Sequence, residues 1–175
     1  MPSKATIELV LEFLQAVQPV LIWIDGGWGV DALLRAETRP HSDLDIIIAK
    51  DDIASLRSAL TANGFVLNES RAGLVFISDA GLRVDVHLVR FDARGYGIFD
   101  LQDGTEWSFA PSAFLGKGRI GNLNVRCLSP EAQVLCHAQG YEPSPKDLAD
   151  MQALQSKFNI TLPSTLSVGG NQSDA

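Results

Sequence analysis

The chain carries only two cysteines, Cys127 and Cys136, in 175 residues, too few for a disulfide framework, so folding must rest on a buried apolar core. Long apolar runs are missing too. The run from Val20 to Ile24 falls far short of the ~20 residues that a membrane-spanning helix needs. The N-terminus shows no basic segment followed by an apolar run and a cleavage site, so a cytoplasmic location and no membrane partner are expected. Positive charge is scarce as well: 14 Lys+Arg stand against 21 Asp+Glu, a net charge of −7. A protein that coats nucleic acid needs a basic face, so no nucleic-acid partner is expected. A single bound nucleotide needs only a few local cations or a metal ion and stays open. No internal repeat, Walker A pattern or Cys/His zinc spacing is found. What remains is ordinary for a globular chain, 46% hydrophobic and 20% charged, with a length that suits one domain.

Hydrophobic spacing divides the chain into alternating elements. Ile7, Val10, Leu11, Leu14 and Val17 form one stripe, which predicts a helix over 5–17. Val20 to Ile24 reads as a buried strand ending at Gly26-Gly27, and Gly29 to Arg35 as a short helix. A second strand is expected over Asp43 to Ala49, and a helix over Asp51 to Ala62 that Asn63-Gly64 stops. Strands are expected at Phe65–Leu67, Leu74–Ile77, Leu82–Val89, Ile98–Leu101 and Asn122–Cys127, with Gly116 to Gly121 as a glycine-rich loop. Ser129 and Pro145 open two final helices. The reading is α/β (α+β), one domain over 1–161 with C-terminal helices from about 129 and a disordered tail over 162–175.

Three features carry chemistry. Asp43 and Asp45 flank Leu44 at a strand start, and residues two apart on a strand project from the same face. Two carboxylates so placed either cap a strand end in solvent or share a cation, and hard divalent ions prefer oxygen ligands. Asp85 sits in the alternating run Leu82 to Val89, sharing a face with Arg83 and His87. An acid is disfavoured inside a strand; it is either a solvated polar residue or a third carboxylate able to bind metal or take a proton. Asp25-Gly-Gly-Trp-Gly-Val-Asp31 lies at a strand–helix turn, where Gly26 and Gly27 let a phosphate approach backbone N–H groups. Such a pair is also an ordinary tight turn.

Taken together, the residues resemble a known family. Trp23-Ile-Asp-Gly-Gly-Trp-Gly-Val-Asp31, Thr38-Arg-Pro-His-Ser-Asp-Leu-Asp45, Val84-Asp-Val-His87, Cys127-Leu-Ser-Pro-Glu-Ala-Gln133 and His137-Ala-Gln-Gly-Tyr141, with Asp147 and Asp150, are similar to the lincosamide nucleotidyltransferases. These are small antibiotic nucleotidyltransferases related to aminoglycoside 2″-adenylyltransferases, within the DNA polymerase β-like superfamily. The resemblance implies a mixed sheet flanked by helices and transfer of AMP from ATP to a hydroxyl of a lincosamide, with release of pyrophosphate. It implies Mg²⁺, as a pair of ions, held by Asp43, Asp45 and Asp85, with Asp85 as base. Gly26, Gly27, Arg39, His41, Ser42 and Lys146 would hold the nucleotide. Trp28, His87, Trp107 and Tyr141 would contact the acceptor, Phe109 standing beside Trp107. Each has a plain alternative: surface charge for Arg39 and Lys146, a loop brace for His41, packing for His87 and the aromatics. Cys136 reads as a small buried hydrophobe. An aminoglycoside or another hydroxylated metabolite remains a possible acceptor, a homodimer a possible assembly, and a silent nucleotide-binding module the rival of another class.

Overall fold

The computed structural model describes residues 5–70, 73–139 and 142–166. Its elements follow from local chemistry. Helix α1 (Ile7–Ala16) starts at Thr6, whose hydroxyl accepts from the Leu9 N–H, and turns Val10, Phe13 and Leu14 into the core. Strand β1 (Ile22–Asp25) runs directly into α2 (Gly26–Leu34), which therefore begins three residues before the expected Gly29. Strand β2 (Leu44–Ala49) leads through a 3₁₀ turn to α3 (Ile53–Ala62). Then come β3 (Phe65–Ser70), β4 (Gly73–Ser78), β5 (Arg83–Phe91) and the hairpin β6 (Gly97–Asp100) and β7 (Glu106–Phe109). A second hairpin, β8 (Gly116–Ile120) and β9 (Leu123–Cys127), precedes α4 (Pro130–Ala138) and α5 (Pro145–Phe158).

The strands form one mixed sheet in the order β3-β4-β5-β2-β1-β9-β8, with β6 paired to the end of β5 and β7 to β6. Pairs β2·β5 and β1·β9 are parallel and the others antiparallel. One sheet face carries Ile24, Leu44, Ile46, Ile48, Phe76, Val84 and Val86 into the main core beneath α1, α2, α3 and α5. The other face carries Trp23, Ile47 and Val89 into a smaller cluster with Ala113, Phe114, Leu128 and Ala132. Nearly continuous Ile46-Ile47-Ile48 is thus buried on both faces, as a central strand demands.

Two expectations change. Gly116 to Gly121 is not a loop: its first five residues are β8. A Cβ at Gly116 would stand 2.4 Å from the Cys127 carbonyl oxygen, and one at Gly118 2.4 Å from the Ala32 backbone. The glycines are there for close packing of β9 and α2 against that strand. The spacing Gly-x-Gly-x-x-Gly in this segment is therefore not a phosphate loop, since no helix follows it. The tail expected from 162 is also corrected at its start, because Leu162 and Leu166 are buried in the main core. Residues 167–175 lie outside the described residues.

Candidate active site

Register brings three acids side by side. Asp25 ends β1 opposite Asp45 on β2, and Asp45 is in turn the partner of Asp85 on β5. All three lie on the face of the smaller cluster, in step with Trp23, Ile47 and His87 one pleat on. Asp43 stands just before β2. The row borders a cavity of about 270 Å³ lined by Asp25, Gly26, Gly27, Arg39, His41, Ser42, Asp43, Asp45, Cys136, His137, Lys146 and Asp147. Eight residues read from sequence as catalytic or nucleotide-binding therefore meet at one place, with Asp85 beside them.

The acids are unequally satisfied. His87 Nε2 donates to Asp45 Oδ1 at 3.1 Å. Partial burial works against a charged ring, yet the Asp45 hydrogen bond and the charges of Asp25, Asp45 and Asp85 push His87 up to about 9. Arg83 Nε and Nη2 donate to the two oxygens of Asp85 at 2.9 and 2.6 Å. Asp25 is the residue that sequence reasoning missed. Its Oδ1 is buried without a hydrogen-bond partner. Burial raises its carboxyl above the ordinary value; His87 opposes the shift and the charge of Asp45 adds to it. The available signal was parity: Asp25 is two residues after buried Trp23, so it shares that face.

The two glycines also make room for neighbouring side chains. Gly26 is the first residue of α2 and has φ +58°, a conformation that favours glycine. A Cβ there would lie 2.4 Å from Asp45 Oδ2, and one at Gly27 2.4 Å from His41 Nδ1 and 2.7 Å from Arg39 Nη2. Their bareness lets these side chains close over the N-terminus of α2. Arg39 and His41 line the cavity but are already engaged. Arg39 donates to both oxygens of Asp150 on α5, the shortest contact being 2.7 Å. It also meets His41 Nδ1 at 3.1 Å. Arginine has only donors, so Nδ1 accepts and Nε2–H donates to Asp31 Oδ2 at 2.6 Å. Asp31 Oδ1 accepts from the Thr38 hydroxyl at 2.6 Å. This chain from α5 to α2 clamps the loop that carries Ser42 and Asp43.

The acceptor residues are scattered. Trp28 is buried in the main core and packs on His41 at 4.9 Å between ring centroids, and it is not among the residues lining the acid cavity. Trp107 lies on β7 in a separate groove of about 520 Å³ with Phe109, Ala132, Leu135 and Gln139. Helix α4 borders both this groove, through Ala132 and Leu135, and the acid cavity, through Cys136 and His137. Tyr141 lies outside the described residues. Burial raises the Cys136 thiol, which keeps it a poor nucleophile.

The donor set suits a hard divalent cation: carboxylate oxygens only, in register on neighbouring strands, with one oxygen orphaned. Among the described residues no three His, Cys, Asp or Glu side chains already converge as a metal site. His87 and Arg83 hold two of the acids meanwhile.

The aminoglycoside-2″-adenylyltransferase family model matches residues 6–154. The chain belongs to that family. It is accordingly a nucleotidyltransferase of the antibiotic-modifying kind. A lincosamide resistance protein from Staphylococcus haemolyticus is 26% identical over 155 residues, spanning 78% of this chain and 85% of that protein. The fold is shared with the lincomycin-bound lincosamide antibiotic adenylyltransferase LnuA, with TM-score 0.72, 23% identity and coverage of 89% of this chain and 99% of that one. ANT(2″)-Ia with adenylyl-2″-tobramycin has TM-score 0.67 at 20% identity, covering 87% of this chain and 88% of that one. No helix among the described residues is long and apolar enough to cross a membrane.

Proposed function

We propose that this chain transfers AMP from ATP to a hydroxyl of a lincosamide antibiotic such as lincomycin or clindamycin, releasing pyrophosphate and inactivating the drug. The observation that carries the reading is the alignment of Asp25, Asp45 and Asp85 across three strands, beside a cavity whose lining includes Gly27, Ser42 and Lys146. The resistance protein from Staphylococcus haemolyticus supports the choice of acceptor.

Asp43 and Asp45 would hold Mg²⁺ on the triphosphate, where the ion neutralises phosphate charge when bound. The Gly26 and Gly27 N–H groups, at the start of α2, face the anion with the positive end of the helix dipole. Ser42 and Lys146, on the cavity wall, add a hydroxyl and a charge. Asp85 takes the proton from the attacking hydroxyl. Arg83 covers both of its oxygens at rest, so the reaction requires Arg83 to yield at least one. His87 keeps Asp45 oriented. Arg39 and His41 act through position, holding the loop rather than the phosphates.

The test is incubation with ATP, Mg²⁺ and a panel of lincosamides and aminoglycosides, read by pyrophosphate release and by a mass gain of one AMP on the acceptor. A lincosamide adduct is expected. An adduct on aminoglycosides alone would transfer the reading to the substrate in the family's name, and no adduct from any acceptor would leave a nucleotide-binding module.

A further inference from the structure

Two arginines engage both oxygens of an aspartate, and they are held very differently. Arg39 sits against Asp150, whose side chain is 5% exposed, and also meets His41 and the Pro40 carbonyl. Arg83 is 45% exposed, and among the described residues its guanidinium is hydrogen-bonded to Asp85 alone. Its Nε and Nη2 donate to opposite oxygens of that carboxylate. Such a fork takes one lone pair of each oxygen and sets a full positive charge against them. Any other cation must share the carboxylate with it.

Placement makes the pair consequential. Asp85 is the register partner of Asp45, and Arg83 lies two residues earlier on the same face of β5. The hydrogen bonds to Asp85 favour the charged guanidinium most; slight burial opposes them, and the charges of Asp85, Asp43 and Asp45 add to them. A divalent ion arriving alone therefore meets like charge and a carboxylate already engaged. An ion arriving on a triphosphate brings phosphate oxygens, which complete its oxygen shell and offer the guanidinium a second anion to grip. With half of the side chain in solvent and Asp85 as its one partner among the described residues, turning away breaks no other hydrogen bond there.

We propose that Arg83 is the resting counter-ion of the acid row, a positioning residue that keeps Asp85 and Asp45 from taking a free divalent cation and yields to one delivered with a nucleoside triphosphate. This role, which rests on the transferase reading above, sets the order in which the site fills: metal with nucleotide, not metal first. The probe is Mn²⁺, which shares the oxygen preference of Mg²⁺ and whose free form is counted by electron paramagnetic resonance. It is titrated into the full chain with and without ATP. The variants are Arg83→Gln, Arg83→Met and Arg83→Gln/Asp85→Asn, each checked for folding by circular dichroism. Without nucleotide, both single variants should bind Mn²⁺ about tenfold more tightly than wild type. The double variant should lose that gain, because the vacated carboxylate is gone. With ATP, after correction for the Mn²⁺ that ATP holds by itself, wild type and Arg83→Gln should agree within about threefold. Nucleotide-free wild type that binds Mn²⁺ as tightly as the single variants overturns this role and leaves the transferase standing. So does a gain that survives in the double variant, or Mn²⁺ binding by wild type that ATP does not strengthen, a result that needs no variant. Mn²⁺ bound by no form of the protein, with or without ATP, overturns the acid row as a metal site and the role of Arg83 together.

Discussion

The molecule uses the same residue types in two networks a few residues apart, to opposite ends. In one, Asp31, His41, Arg39 and Asp150 pair with one another and with Thr38, and Asp31 and His41 are almost fully buried. In the other, Asp25, Asp45 and Asp85 stand in a row with an orphaned oxygen and two partly exposed cations, Arg83 and His87, as their partners. A network so paired holds shape. A row of like charges that the fold itself forces together has its electrostatics left over for a ligand. Aspartate identity says nothing of this difference; register and partner do.

The largest effect is expected at the row: Asp45→Asn should cut transfer by about three orders of magnitude and weaken Mg²⁺–nucleotide binding as well, with the melting temperature unchanged or raised because like-charge repulsion falls. Steady-state kinetics and calorimetry check both halves. In the clamp the loss should appear as stability. Asp31→Ala leaves His41 and Thr38 without their acceptor and should cost about 3 kcal/mol, measured by urea denaturation. An equal loss from Asp45→Asn and Asp31→Ala would erase the distinction. Between them comes Gly27→Ala, whose Cβ would collide with His41 and Arg39. It should displace the clamp and raise the KM for ATP about tenfold, with a smaller loss of stability than Asp31→Ala.

The smallest effect lies at the start of α5, where the Ser144 hydroxyl and N–H both donate to Asp147 Oδ2. Burial opposes ionisation there, but these two hydrogen bonds hold the Asp147 carboxyl below its ordinary value of 3.8. A carboxyl depressed in the folded state stabilises the fold above the unfolded-chain value and loses that contribution as pH falls through the lower folded value. Ser144→Ala should therefore cost about 1 kcal/mol at neutral pH, and the difference from wild type should shrink on acidification below that value.

How much of this was legible beforehand depends on the range of the interaction. The acids of β2 and β5 could be read because strand parity is local: Asp45 and Asp85 each sit among alternating or branched apolar residues. So could the starts of α4 and α5, which Ser129 and Pro145 announce. The engagement of Arg39 could not, since its partner Asp150 is 111 residues away. Trp28 beside two glycines looked like a cleft wall, and only tertiary packing shows it as core. Strand β8 was hidden for a similar reason. Glycine has low strand propensity, and the backbones of Cys127 and Ala32 that require it there belong to other elements. Strand β7 is four residues long, too short for alternation to stand out.

In the proposed reaction the acid row performs the transfer, with Asp85 accepting the hydroxyl proton. The most direct measurement is single-turnover AMP transfer to lincomycin by Asp85→Asn, set beside its calorimetric affinity for Mg²⁺–ATP. The expected result is a rate lower by about a thousandfold with nucleotide affinity close to wild type. Transfer at the wild-type rate by Asp85→Asn would contradict it.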